Sequence, residues 1–389
     1  MKKKLKLRVN SILMAVLMVA SIIPMGAISS FALISGDYEY SIVLGTDKTA
    51  KITKYNGAGG DITIPSTIDG YKVTEIGKKS FENCAGLTNA KIPDTVTSIG
   101  EYAFSGTPFY NSLPNGEVYL GKVLYKYKGK MPANTGINIK DGTVSISDCA
   151  FQSCTGLISV TIPNTVISIG VSAFSICTGL TSIKIPDSVT RIGKFAFRGC
   201  TNLTSVAMGN NITSISDSIF ENCTALTGII IPNSVTSIGD SAFLNTALTS
   251  IIIPNRVTHI GLWAFFGCKD LKSITIPDSV TYIGRLAFRD CHLDLVIKAP
   301  AGSVAETYAK DNNIKFESNT APTKRALGDV TGDGKVTSGD AIAVLRAEAQ
   351  LKKLTAVEFT AADVVKDGRV TSGDAIRILR YEAQLIPSL

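Results

Sequence analysis

At 389 residues and 41.2 kDa the chain is longer than one ordinary domain, and 45% apolar but only 7% aromatic residues imply a thin aliphatic core rather than one large globule. Charged residues are 18%, too few for a disordered chain or a charge-driven binder. The formal charge of +7 leans on Lys2, Lys3, Lys4, Lys6 and Arg8, so the remainder is close to neutral and has no electrostatic footprint for nucleic acid.

Those five cations open a tripartite N-terminus. An apolar run from Ile12 to Ile23 follows, then Ser30-Phe31-Ala32, with small residues where a signal peptidase needs them. Pro24 and Gly26 interrupt the run before it reaches the roughly 20 residues that span a bilayer. The expectation is an export signal over 1–32, cleaved after Ala32, and a secreted chain with no membrane span thereafter.

Residues 33–317 read as a repeat solenoid behind an N-terminal cap, with a period near 23 residues. Ile185-Pro186 through Ile192-Gly193 returns at Ile162-Pro163, Ile231-Pro232, Ile253-Pro254 and Ile276-Pro277. Gly209 fills the slot of one missing proline. Ala-Phe follows each Ile-Gly (Ala196-Phe197, for example), then a cysteine, then the leucine that opens the next unit. Within a unit, Thr181 to Ile185 alternates as a half-buried strand, proline stops the ladder, and Val189, Ile192, Phe197 and Cys200 supply further inward positions. One unit cannot bury that surface alone, so the units must stack. About eleven coils at roughly 4.8 Å per strand give a rod or arc on the order of 50 Å.

The string Ile-Pro…Val-Thr-x-Ile-Gly-x-x-Ala-Phe…Cys-x-x-Leu resembles the BspA-like leucine-rich repeats of bacterial surface and secreted proteins, from about Ile62 to Phe316. The resemblance implies an α/β repeat solenoid, with parallel strands stacked in coils. An insertion near 105–135 looks like a hairpin, and Ala301 to Ile314 looks helical, a closing cap near 299–317. The unit at Phe243-Leu244-Asn245-Thr246 is one residue short and lacks its cysteine.

Seven of the eight cysteines (Cys84, Cys154, Cys177, Cys200, Cys223, Cys268, Cys291) share one repeat position, and Cys149 stands outside it. A ladder of inward thiols behaves as a stack of small hydrophobes. Export favours disulfides, but seven rungs do not pair off. Metal binding has neither Cys-x-x-Cys spacing nor a neighbouring histidine.

Ser318 to Arg325 has linker composition, and the linker is set at 318–326. Beyond it, 327–389 is a duplication. Lys335-Val336-Thr337-Ser338-Gly339-Asp340-Ala341-Ile342 returns as Arg369-Val370-Thr371-Ser372-Gly373-Asp374-Ala375-Ile376. Each copy begins with an acidic loop, aspartates at positions 1, 5 and 12 and glycine at 6, which is EF-hand spacing; hard oxygen ligands on a sharp turn suit calcium.

This segment is similar to type I dockerins, small all-α modules with two EF-hand-like loops that plug into a cohesin of a scaffoldin. The resemblance maps calcium ligands to Asp329, Asp333, the Lys335 carbonyl, Thr337 and Asp340, and to Asp363, Asp367, the Arg369 carbonyl, Thr371 and Asp374. Position 3 departs from the family pattern. Thr331 offers at best a hydroxyl and Val365 nothing, so two ions are expected, the second held more weakly. Cohesin contact maps to Ser338, Gly339, Leu345, Arg346 and Gln350, and to Ser372, Gly373, Leu379, Arg380 and Gln384, in either of two orientations. Ile342 and Ile376 are expected to pack the helices together.

On the repeat sheet, stacking should align Ala207, Ile230 and Ile252 into an apolar strip, read as a ligand face; a β-branched ladder that merely favours the sheet would look the same. The only histidines, His259 and His292, have no metal-spaced or nucleophile partners, so no enzyme is expected. The reading is a secreted, non-catalytic binding subunit of a cellulosome-type, polysaccharide-degrading complex, docked through a scaffoldin cohesin, whose solenoid recognises a protein or surface target. A protease inhibitor or regulator on that complex, and a cell-surface adhesin, are the alternatives.

Overall fold

The computed structural model describes residues 32–43, 47–319, 327–331, 335–351 and 353–389. The expected export signal and linker lie almost wholly outside these residues, as does Asp333. The chain divides into two compact units, Met1–Tyr125 and Lys126–Leu389.

The first unit begins with an antiparallel meander, Leu33–Ser35, Tyr38–Val43 and Thr49–Tyr55. Thr49–Tyr55 then pairs in parallel with Tyr71–Ile76, and that strand with Ser98–Ile99. Antiparallel pairing turns to parallel here, so the meander serves as the N-terminal cap. Ile52, Val73, Ile76 and Ile99 are buried, and Phe81 stacks on Phe104 at 5.0 Å. Helix α1 (Pro108–Ser112) and strand Gly116–Leu120 lie in the expected insertion; Thr107 caps α1 by accepting from Tyr110 N–H at 3.0 Å.

The second unit is a parallel-strand solenoid. Strands pair in parallel at a repeat-length offset, as in Ser182–Lys184 with Ser205–Ala207 and Ser250–Ile252 with Ser273–Thr275 and Val296–Ala299. A second edge carries two-residue strands, Ser145–Ile146, Ser168–Ile169 and Arg191–Ile192. In-register stacking puts like on like. Phe151, Phe174, Phe197, Phe220, Phe243, Phe265 and Phe288 form one column with centroid spacings of 5.2 to 5.7 Å and nearly parallel rings. That spacing lies within the favourable aromatic range.

The glycine after each isoleucine has a steric cause. A Cβ on Gly193 would sit 2.4 Å from Val171 N of the preceding coil, so only glycine permits that approach. One coil has Ser216 instead. There the second-edge ladder stops: Ser214–Ile215 pairs onward with Ser237–Ile238, but not back with Arg191–Ile192.

The cysteine column is an ordered one. Cys177 Sγ donates to the Phe151 carbonyl at 3.0 Å, Cys200 to Phe174 at 3.1 Å and Cys223 to Phe197 at 3.1 Å. Burial pushes the Cys154 thiol up to about 11 and Cys200 to about 12. In the short unit Thr246 takes the cysteine position, its Oγ1 donating to the Phe243 carbonyl at 2.9 Å. The residue is therefore missing between Thr246 and Leu248, not at the cysteine.

Helix α2 (Val304–Asp311) closes the solenoid, shorter than the expected helical stretch. Tyr308 meets Phe288 edge-on at 5.7 Å and ends the aromatic column. Strand Lys315–Ser318 adds in parallel to Val296–Ala299. Helices α3 (Ser338–Glu348), α4 (Ala356–Ala362) and α5 (Ser372–Glu382) form the tail, around Val330, Val344, Ala362, Val364 and Ile378.

Candidate functional site

The tail's two loops end in the same device. Asp340 is fully buried, its Oδ1 accepting from Thr331 N–H at 2.7 Å and its Oδ2 from Thr337 N–H at 2.8 Å. Asp374 repeats this with Val365 N–H at 3.0 Å and Thr371 N–H at 2.9 Å. Each aspartate thus pins its loop and caps its helix, with threonine at the N-cap. Burial alone would raise the Asp340 carboxyl, but the Thr331 and Thr337 donors hold it below the ordinary range. Sequence reading assigned Asp340 and Asp374 to the ion alone. The Thr-x-x-Asp spacing carried the capping signal.

In the second loop Asp363 accepts from Asp367 N–H at 3.1 Å and Gly368 N–H at 3.0 Å, closing the turn at glycine. Val365 is exposed and brings no oxygen inward; Asp367 Oδ1 takes the Arg369 N–H at 2.9 Å. In the first loop Asp329 is buried, Thr331 and Lys335 are exposed and Thr337 is half-buried. The side-chain donors are all oxygen, and in the second loop Asp363 already closes the turn at Gly368, so the residues fit a hard divalent cation. Among the described residues no three carboxylate, thiol or imidazole groups cluster as a metal site by themselves.

The expectation for Ile342 and Ile376 is corrected. They are 50% and 51% exposed, whereas Ala341, Val344, Ala375 and Ile378 fill the helix interface. A 3.6-residue turn places Val344 and Ile378 three residues beyond Ala341 and Ala375 on the inner side. Ile342 and Leu345 then lie together on the outer side, as do Ile376 and Leu379. Ser338, Gly339, Arg346 and Gln350, with Ser372, Gly373, Arg380 and Gln384, are exposed as well. The two outer strips match residue for residue.

On the solenoid, Ile230 is 85% and Ile252 is 73% exposed, and Ala207 is exposed. They do not lie on one continuous ladder. Residues 227–231 form no strand; the next coil reaches them through the Thr227 carbonyl, which accepts from Thr249 N–H at 3.1 Å and Thr249 Oγ1 at 3.4 Å. The residue missing between Thr246 and Leu248 falls in the same coil as this unpaired stretch. A groove of about 700 Å³ opens there, lined by Val206, Gly228, Ile229, Ile230, Ser250 and Ile252.

The repeat carboxylates and histidines have local tasks. Asp148, Asp217 and Asp240 each accept a backbone N–H one coil onward, from Val171, Asp240 and Leu262. His259 Nδ1 lies 2.8 Å from Thr258 Oγ1, and His292 Nδ1 accepts from Asp294 N–H at 3.0 Å. No helix among the described residues is long and apolar enough to cross a membrane.

A leucine-rich coil stack followed by a helix pair on twin aspartate loops defines a protein built of binding modules. The chain belongs to the BspA type leucine rich repeat family, whose profile matches residues 60–131, 121–248 and 236–322, and it carries a dockerin type I domain at 327–381. Dockerin type I domains bind calcium and dock to cohesins, and leucine-rich repeats serve protein interaction. No curated protein matches the chain. Among solved structures it is similar to a leucine-rich repeat protein from Bacteroides ovatus, at 27% identity over 74% of this chain and 76% of that one, with a TM-score of 0.38. It is also similar to a leucine rich cell surface protein from Faecalibacterium prausnitzii, at 26% identity over 75% and 99%, TM-score 0.27. A third is a leucine-rich repeat protein from Eubacterium ventriosum, at 19% identity over 67% and 95%, TM-score 0.42.

Proposed function

We propose that the chain is an exported, non-catalytic binding subunit, docked by its tail onto a cohesin of a scaffoldin in a cellulosome-type, polysaccharide-degrading complex, with the solenoid holding a protein target. The observation that carries this reading is the matched outer strip of α3 and α5, Ile342, Leu345 and Arg346 against Ile376, Leu379 and Arg380. An exposed apolar pair beside an arginine, given twice on helices tied down by buried aspartates, suits a partner surface more than a core. Either helix can present the same face, so docking runs in two orientations.

Calcium supplies the positive charge around which each loop's oxygens gather. Asp329, Asp333 and Asp340 would hold the first ion with the Lys335 carbonyl, Thr337 and Thr331; Asp363, Asp367 and Asp374 the second, with the Arg369 carbonyl and Thr371. The second loop is weaker because Val365 gives it no side-chain oxygen. The solenoid target contacts Ala207, Ile230 and Ile252.

The test is a pull-down of the full chain on immobilised type I cohesin modules. Binding should disappear with chelator, survive Leu345→Asp with Arg346→Asp, survive the same changes at Leu379 and Arg380, and vanish when both helices are changed. Capture that persists in the four-residue variant, or in chelator, would sink the reading.

A further inference from the structure

The groove at the ladder fault has a charge pattern around it. Lys184 pairs with Ala207 in register, and Ile252 pairs with Thr275, which pairs with Lys298. With Ile230 at the equivalent repeat position, successive coils carry Lys184, Ala207, Ile230, Ile252, Thr275 and Lys298 at one repeat position, across the ladder fault. The centre of this row is apolar and a lysine flanks it on each side, Lys298 pairing in register in turn with Glu317. Lys184 makes no ion pair among the described residues. Lys298 meets Glu317 at 3.9 Å, but Glu317 is shared with Lys315 at 3.4 Å, so cation exceeds carboxylate at that end too.

We infer that this row binds an extended acidic-apolar protein segment: a short aliphatic centre over Ile230 and Ile252, with carboxylates at both ends facing Lys184 and Lys298. This rests on the proposed ligand face and names the chemistry of its partner. Charge complementarity selects the occupant, because a neutral aliphatic segment would leave Lys184 and the excess cation beside Lys298 unanswered and a basic one would be repelled. Five inter-strand steps of about 4.8 Å set the lysines roughly 24 Å apart, which about seven residues of extended chain span.

The experiment uses the full chain and three fluorescein-labelled peptides: Asp-Glu-Gly-Ile-Val-Ile-Gly-Glu-Asp, its neutral counterpart with Gln and Ser at the acidic positions, and its basic counterpart with Lys and Arg. Fluorescence anisotropy should show the acidic peptide binding at least tenfold tighter than the basic one, with the advantage shrinking as salt rises. Ile230→Ser with Ile252→Ser should weaken it at least tenfold, and Lys184→Glu at least threefold. These side chains are exposed, so the variants should keep the parent melting temperature. If all three peptides bind alike and still depend on Ile230 and Ile252, the acidic partner is overturned while the ligand face stands. If no peptide binds up to millimolar concentration, or binding ignores both isoleucines, both fall. Self-association of the chain through the isoleucine pair, seen by sedimentation, would also overturn the acidic partner.

Discussion

The solenoid and the tail obey opposite rules. The solenoid is apolar and repetitive, its order coming from each phenylalanine stacking on the next, each cysteine bonding a phenylalanine carbonyl and each glycine admitting the backbone of the preceding coil. The tail has a small core of valine, alanine and isoleucine and relies on buried carboxylates that tie loops to helix starts. Polar groups buried in a small module thus carry what apolar area carries in a long one.

Four experiments would break or sharpen that contrast. The largest effect belongs to the aromatic column: Phe197→Ala should cost the solenoid about 3–5 kcal/mol in denaturant unfolding, with cohesin capture unchanged. Paired substitutions in the tail come next. Ile378→Ala should cost about 2–5 kcal/mol of tail stability, whereas Ile376→Ala, on the outer face, should stay within about 0.5 kcal/mol; equal losses would return Ile376 to the core. Thr246→Val keeps shape but deletes a buried hydroxyl donor, and should cost about 1 kcal/mol, read by thermal unfolding. The smallest effect is electrostatic. Glu306 is held below the ordinary carboxylate range first by Lys310 and then by Gly302 N–H. A depressed carboxyl stabilises above its unfolded value and loses that as pH falls through its folded one. Hydrogen exchange of the closing helix should therefore quicken below about pH 4, and Glu306→Gln should flatten the dependence.

Much of the fold was legible because repetition makes local pattern and global packing the same statement. The inward Ile, Val, Phe and Cys positions, the closing helix and the duplicated loops all follow from spacing. The faults did not, since a ladder break depends on how neighbouring coils meet. Ser216 and the gap after Thr246 were visible as departures, but their effect on pairing needs three dimensions. Ile342 and Ile376 were misplaced because the helices are apolar on both sides: Ala341 and Val344 look too small to be the core, yet small residues let two short helices close on each other. The capping use of Asp340 and Asp374 was hidden behind their ligand spacing.

The serine at 216, the unpaired stretch at 227–231 and the gap after Thr246 fall in consecutive coils. In a one-dimensional crystal such flaws act as dislocations. Cooperative melting should halt there, dividing the rod into two blocks that breathe separately. The seam that interrupts the lattice also lays its isoleucines open to solvent, which is where the proposed ligand face falls.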